Sequence, residues 1–367
     1  IAGVSVQQSD GAPGGGMSIV VRGVNSFSTS SQPLYIVDGV PFETGSTPSN
    51  GATTNQQSSN PLSFINPHDI ESIEVLNYAS ATAIYGSRGA NGVVIITTKR
   101  GKEGKPKVEF SSNFGISTIS NKMKMLDPVT YAKYINEEQV NSAYYEGSTN
   151  TNIPYSGTWG YQYYTDGHAN YNTGVYTGSP EDYAHPGIYK DEYGNSTELA
   201  VADWQDEIFR TATTQDYNAS VSGAGEKGYY SFSGNYSKQD GIIKNSGYER
   251  YSLRANISSK ISDWLEMGTN TSFTNSTTNF ANTLSYNTGI VRSALLFPPT
   301  YGPNMDTTQA DDLNWLAANP AAYVNNTKDE LTAINYFSSS YLEVKLFPFL
   351  KFRQNLGLSY NDQHRGS

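Results

Sequence analysis

The pattern of apolar and polar positions changes near residue 107. From there on, segments of about ten residues alternate apolar with polar side chains, which predicts β-strands with one apolar face because strand side chains alternate sides. In one of these segments Tyr251, Leu253 and Ile257 fall on one face, and Ser252, Arg254 and Asn256 fall on the other. The pattern predicts seven strands, over 108–116, 216–222, 230–237, 251–258, 265–273, 336–346 and 350–360.

Before residue 107 the pattern is that of a compact mixed α/β unit with many glycines. Apolar runs predict strands, and Asp38-Gly39 supplies the residue types of a tight turn. A helical turn starts in 66–71, a short helix ends at Gly86, and the polar stretch 101–106 predicts a hinge. The strands of this unit are predicted over 17–23, 32–40, 72–76 and 93–97. The pattern therefore divides the chain into two domains, 1–106 and 107–367.

The connections between the seven later strands are of two kinds. Two are very long, about 118–214 and 278–333, whereas others are as short as 223–228. Long loops at one end of a sheet and short turns at the other are typical of outer-membrane barrels. A secreted all-β sandwich fits the alternation equally well, and the loop lengths favour the barrel. Because the first connection is long, strand one runs outward, and the first domain lies at the short-turn end or inside the barrel.

The number of strands adds a second expectation. Bacterial single-chain barrels use even strand numbers, and barrels that enclose a domain have about 22 strands. We therefore expect an antiparallel membrane β-barrel of about 22 strands in the full protein, about seven of them here, with an N-terminal α+β plug domain in the lumen. The first residues, Ile1 to Val6, read as the middle of a strand, so we expect the N-terminus to be incomplete.

Composition narrows the function classes. The 367 residues include 28 Tyr and 34 Gly but no Cys, and only 16% are charged. The absence of Cys excludes disulfides and thiolate sites, and a net charge of −10 argues against nucleic-acid binding. No apolar run reaches 18 residues, no His pair has zinc-ligand spacing, and no calcium loop or phosphate-binding motif is present. We predict no catalytic residue, no metal and no cofactor.

Four motifs of the first domain carry a family resemblance: 20–26 (VVRGVNS), 33–41 (PLYIVDGVP), 65–76 (INPHDIESIEVL) and 79–92 (ASATAIYGSRGANG). They resemble the plug of SusC/RagA-type TonB-dependent receptors, and 203–209 and 248–254 resemble early barrel elements of that family. The resemblance implies an outer-membrane transporter that imports oligosaccharides or peptides, with plug gating driven through TonB. It also implies a SusD-like surface lipoprotein as partner, contact with membrane lipid or lipopolysaccharide, and a dimer of SusC–SusD pairs. The TonB box and the N-terminal extension typical of the family are not in this sequence.

The resemblance points to gating candidates in the plug motifs. Charged residues there are candidates for ion pairs that hold the plug in the barrel, although solvated or internal pairs are an equal alternative. The glycines serve turns and close packing. The candidates are Arg22, Gly23, Asp38, Gly39, Glu71, Glu74, Arg88 and Gly89.

Aromatic residues interleaved with carboxylates crowd the first long loop. Such faces stack on sugar rings and offer rigid contact area, so they are candidate substrate or partner contacts. Packing of the loop aromatics on each other is the alternative. The candidates are Tyr155, Trp159, Tyr161, Tyr163 and Tyr164. Two rival functions stay open from sequence: an adhesion or binding protein without transport, secreted or surface-anchored, and a glycan-cleaving enzyme, which needs two carboxylates across a cleft.

Overall fold

The computed structural model shows a small α/β domain docked against a large antiparallel sheet. It describes residues 4–8, 11–21, 33–42, 62, 65–76, 78–128, 130–131, 134, 188–190, 196–198, 202–281, 283, 289–299 and 319–366. We call residues 1–106 the plug, and the large sheet the wall sheet.

The plug consists of a hairpin and a separate four-stranded sheet. Strands β1 (Val4–Gln8) and β2 (Met17–Val21) pair antiparallel. The second sheet has the order β4-β3-β6-β5, with β3 and β6 parallel. Its strands are β3 (Leu34–Val37), β4 (Val40–Phe42), β5 (Ile70–Leu76) and β6 (Val93–Thr98). Helix α1 (Tyr78–Tyr85) ends before Gly86, as predicted, because Gly86 adopts a left-handed φ of 62°.

The strand predicted over 32–40 is interrupted, which corrects the sequence-based boundary. Asp38 and Gly39 both have positive φ, 48° and 85°, and form a two-residue turn between β3 and β4. Such turns require left-handed residues at both positions, which Asp and Gly tolerate. The turn projects the Asp38 side chain from the end of the plug sheet.

The wall sheet contains the seven predicted strands, each longer than predicted. Its order is β15-β14-β13-β12-β11-β10-β7, and every neighbouring pair is antiparallel. The strands are β7 (Lys107–Ser117), β10 (Ala212–Gly225), β11 (Gly228–Asp240), β12 (Gly247–Ser262), β13 (Leu265–Asn279), β14 (Glu330–Phe347) and β15 (Leu350–Gly366). A further small hairpin, β8 (Ile188–Lys190) with β9 (Ser196–Glu198), lies within the first long connection.

The two faces of the wall sheet have opposite chemistry. On the central strand β12, Leu253 is 63% exposed on the outer face, whereas Ser252 is 7% exposed on the inner face. Large apolar side chains on other strands are also exposed outward, among them Phe110, Phe232, Met267, Leu342 and Leu356. Polar side chains are buried on the inner face: Asn218, Asn235, Asn256, Asn270, Thr274 and Asn335. The sheet therefore buries its polar face and exposes its apolar face.

Three short helices pack together at the long-loop end of the wall sheet. They are α2 (Trp204–Ile208), α3 (Ile290–Leu296) and α4 (Pro320–Asn326), and they share an apolar core that includes Trp204, Ile290 and Val324. None of the three was predicted as a helix from sequence. Among the residues that the structure describes, no helix has the length and apolar character needed to cross a membrane.

The predicted hinge lies beside the short turns. Glu103 forms a parallel bridge with Ala224, next to the turn between β10 and β11. Gly101 lies so close to that turn that a Cβ there would be 2.2 Å from the Gly223 carbonyl oxygen. The chain therefore leaves the plug and enters β7 at the end of the sheet opposite the helices.

Candidate functional site

The plug rests on the polar inner face of the wall sheet, and we treat this interface as the candidate site. One contact comes from a single helical turn, Pro67–Asp69, which precedes β5. The Asn66 side chain caps this turn, since its Oδ1 accepts from the His68 amide at 3.1 Å. Its Nδ2 meanwhile donates to Asn218 Oδ1 of β10 at 2.9 Å. One buried side chain thus both shapes the turn and docks it.

The same turn makes two more contacts with the wall sheet. His68 Nε2 lies 2.9 Å from Asp216 Oδ1 of β10. Asp69 Oδ1 accepts a hydrogen bond from Ser233 Oγ of β11 at 2.6 Å. The consecutive residues His68 and Asp69 therefore reach neighbouring strands with side chains of matched polarity.

A second contact centres on Asp38, in the turn between β3 and β4. Within the plug, its carboxylate accepts from the Thr98 amide at 3.1 Å and the Thr98 hydroxyl at 2.5 Å. Across the interface, Oδ2 accepts from Arg254 Nη2 of β12 at 3.1 Å and from Asn270 Nδ2 of β13. The Arg254 and Asp38 side chains are only 9% and 7% exposed, so this ion pair is buried.

Backbone and apolar contacts complete the interface. Arg250 Nη1 donates to the Ile65 carbonyl at 3.3 Å, and Asn256 Nδ2 donates to the Lys99 carbonyl at 3.4 Å. Phe42 meets Phe337 of β14 edge-on, with ring centroids 6.4 Å apart. This aromatic contact joins the plug core to an interface that is otherwise largely polar.

Two of the cavities between plug and wall sheet lie beside these contacts. The larger, about 350 Å³, is bordered by His68, Asp216, Tyr248 and Arg250, among others. The smaller, about 20 Å³, is bordered by Ser252, Arg254, Asn270 and Asp69. The smaller one has room for about one water molecule.

The sequence-predicted gating candidates lie in different places. Asp38 and Gly39 form the turn that carries the ion pair with the wall sheet. Gly89 packs against Ala81 within the plug, where an added Cβ would lie 2.8 Å from the Ala81 carbonyl oxygen. Glu71 pairs at 3.5 Å with Lys102 of the hinge, and Glu74 and Arg88 are exposed. The remaining candidates, Arg22, Gly23, Tyr155, Trp159, Tyr161, Tyr163 and Tyr164, lie outside the described residues.

Sequence reasoning did not single out the partners in the wall sheet. Arg254 and Asn270 occupy polar positions of the alternating strands, and Asp216 does too. In the sequence these three residues are recognisable only as charged or amide side chains on the strand face that alternation assigns to the barrel interior. Without the structure nothing distinguishes these positions from the other polar residues of that face.

Few of the described residues outside the wall strands have a shifted pKa. Burial raises the pKa of the Tyr35 phenol in the plug core to about 12. At the long-loop end, the hydrogen bond from Lys122 lowers the pKa of Asp206 of α2, and the same bond raises the pKa of Lys122. Among the described residues, no group of His, Asp or Glu side chains is arranged to hold a metal ion.

Comparison with known proteins places this geometry in a family. Residues 1–93 match the model of the TonB-dependent receptor plug domain. The chain is 30% identical over 377 residues to TonB-dependent receptor P3 of Formosa agariphila, a match that covers 100% of this chain and 30% of the relative. It is 32% identical over 285 residues to TonB-dependent receptor SusC of Bacteroides thetaiotaomicron, which covers 77% of this chain and 23% of SusC.

Solved structures show the same fold. The RagAB peptide importer in its closed-closed state superposes with a TM-score of 0.69 at 24% identity, over 99% of this chain and 38% of that chain. The chain thus spans less than a third of the length of the P3 receptor and of SusC, and well under half of the RagAB chain.

Proposed function

This chain belongs to the SusC/RagA-type TonB-dependent receptors of the outer membrane, and we propose that the whole protein imports oligosaccharides or peptides through a barrel that this plug closes. In this proposal TonB pulls the plug from the periplasmic side, which is the short-turn end of the wall sheet. A SusD-like lipoprotein delivers substrate at the long-loop end, where helices α2, α3 and α4 form a packed block. The mechanism is gated binding and release, and it breaks no covalent bond.

One observation carries this proposal: the polar inner face of the wall sheet holds the plug, and the apolar outer face is exposed. A soluble sandwich does the opposite, because burying apolar area drives its folding. A barrel in a bilayer needs an apolar outer face and accepts a polar lumen. The observed arrangement therefore favours a membrane wall over the secreted or surface-anchored adhesion protein that alternation alone allows.

The chemistry of the interface also suits a gate. Each plug–wall hydrogen bond contributes about 0.5–1.5 kcal/mol net, because water replaces the lost partner when the bond opens. Several such bonds hold the plug in place without making its release prohibitive. An enzyme would instead need reacting groups that converge on a cleft, and the contacts found here join plug to wall.

The inner face fits both substrate classes. It presents amide and hydroxyl side chains at one level across neighbouring strands, since Asn218 pairs in register with Asn235, and Asn235 with Ser252. Amides and hydroxyls exchange hydrogen bonds with sugar hydroxyls and with peptide groups alike. A polar ladder of this kind lets a polar substrate pass once the plug has moved.

A disulfide lock tests the gate. These 367 residues contain no cysteine, so Asp69→Cys with Ser233→Cys introduces the one cysteine pair within them, at positions whose side-chain oxygens are 2.6 Å apart. In the full-length receptor we expect oxidation of this pair to abolish TonB-dependent uptake, and reductant to restore it. Uptake is measured in cells with labelled maltooligosaccharides and with a labelled peptide digest.

The matched control places the disulfide within the wall sheet. Thr271→Cys with Ser338→Cys joins β13 to β14, where the two hydroxyls are 3.0 Å apart, and it leaves the plug free. We expect oxidation of this control to leave uptake unchanged. Equal uptake by the oxidised plug-locked receptor and its reduced form would show that the plug is not the gate.

A further inference from the structure

We propose that Arg254 and Asn270 form a carboxylate-binding site in the lumen wall, which Asp38 occupies while the plug is closed and a substrate carboxylate takes as the plug leaves. This inference rests on the proposed import function and assigns it a substrate class. Three observations support it: the hydrogen bonds that hold Asp38, the Arg254 donor that Asp38 does not use, and the position of the acidic residues around Arg254.

Asp38 uses only part of the Arg254 guanidinium. One carboxylate oxygen, Oδ2, accepts from Nη2 at 3.1 Å, and the same oxygen accepts from Asn270 Nδ2. The other oxygen, Oδ1, accepts from the Thr98 amide within the plug, and Arg254 Nε is buried with no hydrogen-bond partner among the described residues. The pair is therefore single-pronged, whereas a guanidinium and a carboxylate bond most strongly through two parallel N–H···O bonds.

Arg254 also borders a small space between the plug and the wall sheet. The 20 Å³ cavity beside Arg254 is also lined by Ser252, and Ser252 Oγ is a second buried atom for which the described part of the chain offers no partner. This volume admits about one water molecule and no larger ligand. With Asp38 in place the site is closed to substrate, so binding there requires movement of the plug.

The countercharges of Arg254 travel with the plug. Among the described residues, the acidic groups beside Arg254 are Asp38 and Asp69, and both belong to the plug. When the plug moves, the wall keeps the Arg254 cation and an amide donor but loses the carboxylates. Lumen water then solvates Arg254, and the guanidinium, freed of its countercharges, is available to bind an anion of the same shape as the one that left.

The departing group defines the ligand chemistry. A carboxylate fits Arg254 and Asn270 because Asp38 is itself a carboxylate, and a free one is able to engage both Nε and an Nη group. The C-terminus of a peptide and the uronic acid of an oligosaccharide share this group. Plug opening and substrate binding are then coupled, since the site in the wall becomes available only when Asp38 of the plug leaves it.

Formate binding tests the site in the full-length receptor. Asp38→Gly removes the carboxylate and accepts the positive φ of 48° at this position. We expect [¹³C]formate to bind this variant, with saturable line broadening in ¹³C NMR, and to bind wild type at least about tenfold more weakly. The double variant Asp38→Gly with Arg254→Gln should lose the binding. Formate that binds all three proteins equally, or none of them, overturns the proposal, and Asp38→Ser serves in its place if Asp38→Gly does not accumulate.

Ester pairs then identify the source of the carboxylate. Uptake of a labelled peptide digest is compared with uptake of its methyl esters. Uptake of oligogalacturonides is compared in the same way with uptake of their methyl esters. We expect wild type to prefer the free acids of one class, and Arg254→Gln to lose this preference. Free acids and esters taken up equally by wild type would refute the substrate assignment. Failure of the import function would instead appear as no TonB-dependent uptake of any probe, while formate binding still decides the site.

Discussion

A charge placed on the outer face of the wall sheet should destabilise the receptor according to its depth in the membrane. Strand β12 carries an outward apolar series from Tyr251 through Leu253 and Ile257 to Ile261. At about 3.3 Å per residue these ten steps cover about 33 Å along the strand, and a tilt of about 40° reduces this to about 25 Å across the bilayer. That matches the apolar band of about 25 Å found in outer-membrane barrels. Ile257 then lies near the middle of the band, and Ile261 lies at its lower edge.

Two substitutions on this strand form a matched pair. Ile257→Arg should cost about 2–4 kcal/mol near the midplane, and Ile261→Arg about 0–1 kcal/mol at the interface. At 1.4 kcal/mol per factor of ten, the midplane cost corresponds to about a 30- to 700-fold shift of the folding equilibrium. The assay is urea titration of full-length receptor folded into lipid vesicles, followed by the gel-mobility shift of the folded barrel.

The opposite expectation holds if this face meets water. Ile257 and Ile261 are already 39% and 59% exposed, and exposed surface substitutions change stability by about 0.5 kcal/mol or less. Equal and small effects at both positions would therefore refute the membrane orientation. A larger cost at Ile261 than at Ile257 would refute the assignment of depth.

Three further outcomes are expected. Asn66→Ala removes both the cap and the bond to the wall, so it should weaken plug docking by about 1–2 kcal/mol, measured as faster proteolysis of the plug. Gly101→Ala should slow assembly of the folded receptor in pulse-chase experiments, because its Cβ would meet backbone at 2.2 Å, whereas Gly225→Ala has open space and should not. Lys122 holds the pKa of Asp206 below its ordinary value, so this pair stabilises α2 above about pH 4 and loses its effect as the pH falls through the lowered pKa. Hydrogen exchange of α2 should show that loss, and Asp206→Asn should reduce the pH dependence while the Asp203 carboxylate that caps α2 stays in place.

The wall sheet was largely predictable because one physical rule governs it. Alternation assigns each side chain to a face, and all seven predicted strands are present in the structure. The tight turn at Asp38-Gly39 was readable from residue type, although its effect of ending β3 at Val37 was not. Helices α2, α3 and α4 were missed because five to seven residues give too little periodicity to detect, and their stability comes from packing with one another rather than from their own sequence.

The contacts of the site were beyond sequence reasoning for a different reason. Asp38 and Arg254 are 216 positions apart, and their meeting depends on how the whole plug sits on the sheet. Glu71 carried as much charge signal as Asp38, yet it pairs with Lys102 close by. The charge of a plug residue therefore makes it a candidate for contact with the wall sheet, and the placement of the plug determines which candidates make that contact.

The largely polar interface between plug and wall sheet explains how the plug is held in the closed state and is still able to move. An apolar interface would expose its area to the lumen on opening, at about 25 cal/mol for each Å². Hydrogen bonds such as that from Asn66 to Asn218 are instead replaced by bonds to water when the plug shifts. Two contacts do not follow this rule: the Phe42–Phe337 pair, which loses burial, and Arg254, which loses its carboxylate. Of these, only Arg254 presents a charge that a ligand can satisfy, so opening becomes least costly when a substrate carboxylate replaces Asp38.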